Sequence, residues 1–385
     1  MAEKKSTTPS HKVLPDQTPP NAYGFWAPRC WHGMLFSDWI RLLVRGRFAI
    51  RPAAWGLTFA VSCVTVFNSV MRLLQELFYG RRLDQTEIKQ APVFIIGHWR
   101  SGTTMLHEMF VQDERFSYPD TYQCFLPNHF VLTRPFLAGL VNALLPSQRP
   151  MDNMPMGNRR PQEDEFALMC LGQLSPYLSL AFPRRPWQGV ESLDCEAMDA
   201  QDLQRWKQAL LWFMKRVTYC NPKRLVLKSP PHTGRIKALL EMFPDARFVH
   251  IVRDPFVVYA SSMRLWRSLS RVQSLQLASD ERWEEFVFDC FERMYGAFER
   301  QQPAVDSSQF FEVRYEDLVS DPLGQMRAIY EHLDLGDFEP ARPRLEKYLA
   351  GVADYQPNSY DLPPELRARI VQRWGRFIEK YGYST

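Results

Sequence analysis

The chain has 385 residues, of which 45% are apolar, 14% aromatic and 23% charged, and its formal net charge is +4. That balance belongs to a globular protein with core enough for one large α/β domain or two smaller ones, and it excludes a disordered chain. So small a positive excess argues against a general nucleic-acid binder while allowing a local basic pocket for an anionic ligand. Seven scattered cysteines (Cys30, Cys63, Cys124, Cys170, Cys195, Cys220 and Cys290) form no CxxC pair, and the eight histidines show no HExxH spacing. Neither a disulfide framework nor a zinc site is expected, which suits a reducing, cytoplasmic setting and chemistry without a catalytic metal.

Residues 1–21 are polar and proline-containing, with no apolar signal region behind Met1, and read as a disordered tail. Residues 22–90 read as an N-terminal helical segment. Within it, Pro52 to Met71 carries no charge and lies between Arg41, Arg45, Arg47 and Arg51 on one side and Arg72, Arg81 and Arg82 on the other. Its length would suffice to cross a bilayer. Yet it contains Thr58, Ser62, Thr65, Asn68 and Ser69, and arginines at both ends give no orientation. A spanning helix, a helix lying on a membrane and a packed helix of a soluble protein compete. Peripheral contact through 52–71, or plain packing, is preferred to a span.

The pattern changes at Ala91, where a domain covering 91–385 is expected to begin. Val93 to Ile96 is a short apolar, β-branched run that stops at Gly97, the pattern of a buried strand. A glycine turn follows, and Thr104 to Gln112 has helical spacing. From Ser117 to Pro186 prolines and aromatics dominate, as in segments that wall a site. A helix is expected from Asp199 to Cys220 and another from Pro255 to about Leu265. Further strands are expected at Leu225 to Leu227, Phe248 to Val252 and Phe310 to Val313. The alternation predicts a three-layer, P-loop-like α/β fold whose mostly parallel central sheet is flanked by helices.

The strongest motif is Gly97-His98-Trp99-Arg100-Ser101-Gly102-Thr103-Thr104. Between a strand and a helix, such glycines let backbone N–H groups turn inward around an anion, and the helix N-terminus adds partial positive charge. The ATP-binding loop has a lysine where this chain has Thr103, and the cation here is Arg100. A cradle without that lysine suits a nucleotide whose reactive end is not a triphosphate.

The order of motifs resembles the sulfotransferase family, in which the 5′-phosphosulfate loop carries a PxSGTT core. The chain matches it as Trp99-Arg100-Ser101-Gly102-Thr103-Thr104, with tryptophan in place of proline. The family's second motif, a strand-end arginine and a helix serine eight residues on, matches Arg253 and Ser261. Leu227-Lys228-Ser229-Pro230-Pro231-His232, Val313-Arg314-Tyr315-Glu316-Asp317-Leu318 and Pro161-Gln162-Glu163-Asp164-Glu165-Phe166 look like its bacterial and membrane-associated branch. The RKG segment of the cytosolic small-molecule enzymes is not recognisable, which argues against a small soluble acceptor.

The resemblance implies transfer of a sulfuryl group from 3′-phosphoadenosine-5′-phosphosulfate (PAPS) to a hydroxyl acceptor. It assigns Gly97, His98, Trp99, Arg100, Ser101, Gly102, Thr103 and Thr104 to the 5′-phosphosulfate, and Arg253 and Ser261 to the 3′-phosphate. Arg100 would stabilise the leaving phosphate, with Lys228 as a second cation. The acid cluster supplies candidate general bases, Glu163 ahead of Glu165, although acids after a proline are also an ordinary helix start. A P-loop kinase or hydrolase, or an inactive homologue that still binds PAPS, are the rival readings. The candidate acceptors are a carbohydrate, a lipid, a peptide tyrosine or another hydroxyl compound.

Overall fold

Val93–Ile96 (β1) is the centre of a parallel sheet in the computed structural model, which describes residues 23–24, 27–149, 154–352 and 360–384. The expected tail, 1–21, lies outside the described residues. β1 pairs on one side with Arg224–Lys228 (β3) and on the other with Arg247–Val252 (β4), placing Ile95 opposite Lys228 and Ile96 opposite His250. Phe116–Ser117 (β2) and Phe310–Arg314 (β5) form the two edges, so the order is β2-β3-β1-β4-β5. Four of these strands match the apolar runs of the sequence. The two residues of β2 are too few to carry a periodic signal.

Strand side chains alternate between two cores. Val93, Ile95, Val226, Val249 and Ile251 face the layer of α3 (Thr103–Phe110), α11 (Tyr315–Ser320), α12 (Pro322–His332) and α13 (Arg342–Gly351). Phe94, Ile96, Leu227, Phe248 and Val252 face the larger layer. That layer holds α1 (Phe36–Arg45), α2 (Trp55–Asp84), α6 (Asp164–Cys170), α7 (Ala200–Cys220), α9 (Pro255–Gln273), α10 (Asp280–Gln301) and α14 (Pro364–Tyr381). The short α4 (Thr121–Phe125), α5 (Phe130–Leu144) and α8 (Ile236–Met242) pack at its margins. Strands buried on both faces explain why the runs are continuously apolar rather than alternating.

The N-terminal segment shares this core: Trp31, Trp39, Leu42 and Val61 are buried in the same cluster as Phe94 and Phe248. The uncharged stretch 52–71 is only the first part of α2, which continues through Arg72 and Glu76 to Asp84. Three of its polar residues, Thr65, Asn68 and Gln75, are completely buried. Asn68 donates to the carbonyls of His32 and Met34, and Gln75 donates to the carbonyl of Asn128.

Because β1 lies between β3 and β4, the connections leave it in opposite directions. A crevice opens at the carboxyl ends of these strands, where open α/β sheets bind their ligands.

Candidate active site

The chain leaves β1 at Ile96 and turns through Gly97 to Gly102 before α3 begins. Gly97 has φ +139°, and a Cβ there would come within 2.5 Å of the Ile251 carbonyl oxygen. Gly102 has φ +106°, and its Cβ would meet Tyr315 Cδ2 at 2.5 Å. Both glycines are therefore required by conformation and by space. Arg100 shares the left-handed region at φ 71°. Bracing bonds fix the loop: Gly97 N–H donates to Thr233 Oγ1, and the Ser101 hydroxyl donates to the His98 carbonyl, each at 2.8 Å.

A cavity of about 450 Å³ opens over this loop. Trp99, Arg100, Gly102, Thr103 and Thr104 form its floor, and Arg253 and Tyr315 close its polar end. The first-turn N–H groups of α3 have no partner within the helix itself, and such a helix start suits an anion. Arg253 directly follows β4; its Nη1 donates to the Arg100 carbonyl at 3.1 Å, and its guanidinium lies 3.9 Å from the Tyr315 ring centre. Arg100 Nε donates to Ser261 Oγ at 2.8 Å. The loop arginine is thereby joined to both residues assigned to the 3′-phosphate.

The three carboxylates of the acid cluster diverge. α6 starts at Asp164 with Glu163 as its N-cap residue, and successive helical side chains point about 100° apart. Asp164 meets His232 Nε2 at 2.7 Å, and Glu165 forms a two-pronged pair with Arg235 at 2.6 and 3.1 Å. Glu165 and Arg235 are wholly inaccessible, which corrects the candidacy of Glu165 as a base. Glu163 alone of the three reaches the cavity wall.

Lys228, the last residue of β3, places Nζ 2.7 Å from Glu163 Oε1 and 3.5 Å from Thr104 Oγ1. Burial lowers the pKa of its ammonium, and the Glu163 charge opposes that shift. On the other carboxylate oxygen, Tyr177 OH donates to Glu163 Oε2 at 2.7 Å while accepting from Trp99 Nε1 at 2.8 Å. Burial, reinforced by the charge of Glu163, pushes the Tyr177 phenol well above its ordinary range and keeps it protonated. Glu163 is thus a buried carboxylate held by two donors, directly beneath the phosphate loop.

His98 does not serve this cavity. Its side chain turns into the core against Trp99, Phe291 and Trp374, with Nδ1 2.9 Å from the Trp99 carbonyl oxygen. Burial lowers its pKa to about 4, so the ring is neutral. Gly97 and Ser101 shape the turn from behind, and the Ser101 hydroxyl is already engaged by the loop. His129 is likewise structural, bonded to Asn68 and Thr133.

Away from the loop the cavity is mostly apolar, walled by Phe125, Phe166, Tyr177, Leu180, Leu265 and Leu269, with Arg149, Gln162 and Gln273 as its polar members. Phe166 and Tyr177 stack at 4.5 Å between ring centres. Tyr177, Tyr315 and Arg149, which all line the cavity, were not singled out by sequence reasoning. Tyr177 had only its place in the aromatic-rich stretch to mark it, while Tyr315 stood within a quoted motif.

Comparison with known proteins agrees with this geometry. A profile of the Sulfotransferase family matches residues 92–340. The chain is 45% identical over 359 residues, 93% of its own length and 92% of the relative's, to omega-hydroxy-beta-dihydromenaquinone-9 sulfotransferase Stf3 of Mycobacterium bovis. Among solved structures it is similar to sulfotransferase STF9 from Mycobacterium avium, with a TM-score of 0.63 and 17% identity, covering 90% of this chain and 96% of that one. Sulfotransferase STF1 from Mycobacterium tuberculosis gives a TM-score of 0.60 at 18% identity, covering 91% and 94%.

Proposed function

Because the chain belongs to the sulfotransferase family, and so moves a sulfuryl group from PAPS to a hydroxyl acceptor, we propose that its acceptor is the terminal hydroxyl of an isoprenoid-type lipid and that Glu163 is the general base. The observation that carries this reading is the junction, within one cavity, of the apolar wall from Phe125 to Leu269 with the Glu163–Lys228 pair at the phosphate loop. A carbohydrate would need an array of polar partners along that wall; an alkyl chain needs none. The 45% identical relative is named for a hydroxylated menaquinone, which agrees in chemical class.

In this mechanism the acceptor hydroxyl gives its proton to Glu163 as its oxygen attacks sulfur. The bond between sulfur and the bridging oxygen of the 5′-phosphate breaks in line, and the electron pair leaves with 3′,5′-adenosine bisphosphate. Lys228, between Thr104 and Glu163, faces the departing oxygen and offsets its charge. Arg100 spans the distance to Ser261 and Arg253, which hold the 3′-phosphate. Thr103, Thr104 and the backbone N–H groups of the loop receive the 5′-phosphate. An acceptor of this kind lives in a bilayer, and we place peripheral membrane contact at residues 52–71.

The test is transfer of labelled sulfate from PAPS to a panel containing an ω-hydroxylated menaquinone, a short-chain polyprenol and a monosaccharide, with E163Q as control. Product with the isoprenoid compounds alone, lost in E163Q, is expected. Labelling of the monosaccharide alone would overturn the lipid reading.

A further inference from the structure

α2 presents a stripe that the fold leaves uncovered. Trp55, Phe59, Val66, Val70, Leu73 and Leu77 are 47% to 75% exposed. They succeed one another at helical steps of three, four or seven residues, so they share one face. From Trp55 to Leu77 that face runs about 33 Å at 1.5 Å per residue. Continuous apolar surface of this extent marks an interaction site rather than ordinary solvent exposure.

The opposite face of α2 is committed to the domain. Asn68 bonds the carbonyls of His32 and Met34, His129 Nε2 meets Asn68 Oδ1, and Gln75 Oε1 accepts from the N–H groups of Val131 and Leu132. Further along, Glu76 pairs with Arg216 at 2.9 Å. Turning α2 into a spanning helix would orphan all of these groups, although Pro52–Asp84 is long and apolar enough to cross a bilayer. The helix lies across the protein and shows one side.

Charge identifies what that side meets. From Trp39 to Gln75 there is no aspartate or glutamate, but there are five arginines: Arg41, Arg45, Arg47, Arg51 and Arg72. Arg41, Arg45 and Arg47 are exposed at one end of the stripe, beside Phe48, which is 57% exposed and has φ 50°. Arg81 and Arg82 are exposed at the other end. An apolar band between guanidinium groups matches a bilayer with acidic headgroups: side chains sink below the phosphates while the arginines meet them. A second copy docking through a two-fold contact would bring these arginines against their own equivalents. Residues 1–22 offer only Met1, Val13 and Leu14 as large apolar side chains, too few to cover the stripe.

We propose that α2 docks the protein in the plane of an anionic lipid bilayer, with the face from Trp55 to Leu77 submerged. This deepens the peripheral contact proposed above, while its residues lie outside the cleft.

The full-length protein is floated with vesicles of phosphatidylcholine, with or without phosphatidylglycerol. Strong flotation with the anionic vesicles and weak flotation with the neutral ones is expected. The triple variant F59S/L73S/L77S should bind about a hundredfold more weakly, since each buried apolar side chain contributes substantially to interfacial affinity. The double variant R45E/R47E should lose the preference for phosphatidylglycerol. Both variants should bind 3′,5′-adenosine bisphosphate like the parent, which shows that fold and cleft are intact. A parent chain that stays in the soluble fraction with anionic vesicles, or a triple variant that floats undiminished, overturns the proposal. So does a dimer in light scattering that the triple variant dissociates, because the stripe then belongs to a second copy. Flotation without sulfuryl transfer to the lipid panel leaves the docking in place and removes the acceptor reading.

Discussion

Trp99 donates its indole N–H to the hydroxyl of Tyr177 at 2.8 Å, and this bond sets the direction of the next one. Indole nitrogen can only donate, so Tyr177 accepts there and sends its own proton to Glu163 Oε2, 2.7 Å away. The tryptophan that stands where the family loop has proline therefore orients the proposed base through one intermediary.

Replacing Tyr177 by phenylalanine keeps the stacking on Phe166 and removes only the hydroxyl. Turnover should fall about ten- to a hundredfold, the range for a positioned group that supports acid–base transfer. The KM for PAPS should stay unchanged, because Tyr177 does not touch the phosphate loop except through the Trp99 side chain. A rise in KM with unaltered kcat would place Tyr177 in donor binding instead.

Glu163 and Glu165, two residues apart, should behave oppositely. E163Q removes the proton acceptor and should lower kcat per folded molecule by about a hundredfold or more, with a loss of stability because buried Lys228 loses its charged partner. E165Q leaves Arg235, which is fully buried, short of its partner, and breaking such a pair costs about 3–5 kcal/mol. Its remaining folded fraction should turn over normally. Denaturant melts paired with turnover per folded molecule check this, and an E165Q protein that is stable but inactive would reverse the two assignments.

Arg253→Ala tests the 3′-phosphate assignment. A charge-assisted hydrogen bond to phosphate contributes about 1.5–3 kcal/mol, so 3′,5′-adenosine bisphosphate should bind about ten- to a hundredfold more weakly. Affinity for 5′-AMP, which lacks that phosphate, should hardly move. Calorimetric titration of both ligands distinguishes this outcome from general damage to the cleft, in which both affinities would drop together.

The parts of this site legible in the sequence were those fixed by local geometry. Gly97, Gly102 and the strand before them announce a phosphate loop because the backbone conformation itself demands glycine. Arg253 followed by Asp254 and Pro255 reads as a strand end meeting a helix start, and Asp254 does cap α9 by accepting from Phe256 N–H. The acid cluster was legible as a place and not as a division of labour. Which of Glu163 and Glu165 faces the cleft depends on Lys228 and Arg235, which lie 65 and 70 residues further along. Tyr177 was beyond reach for the same reason, since its partners come from the loop and from α6. His98, inside the loop motif, looked like a ligand residue until the aromatic core formed by α10 and α14 claimed its ring.

Buried histidines give the fold a specific weakness to acid. Burial lowers the pKa of both His98 and His129 to about 4, whereas an unfolded histidine titrates near 6.5. Between those values the unfolded chain binds more protons than the folded one, so stability must rise with pH. The contribution is complete above about pH 6.5, shrinks as the pH falls, and is gone below about 4. Each histidine adds a slope of up to about 1.4 kcal/mol per pH unit, and the pair up to about 2.7. Urea titrations in steps from pH 7 to pH 5 should show stability falling steadily as the pH falls. H129Q, which cannot take up a proton, should be less stable at pH 7 yet show a dependence shallower by up to about 1.4 kcal/mol per pH unit, the remainder coming from His98 and from His32, His107 and His250, whose pKa values burial also lowers. An equally steep profile in H129Q would mean that this ring is already protonated in the native state.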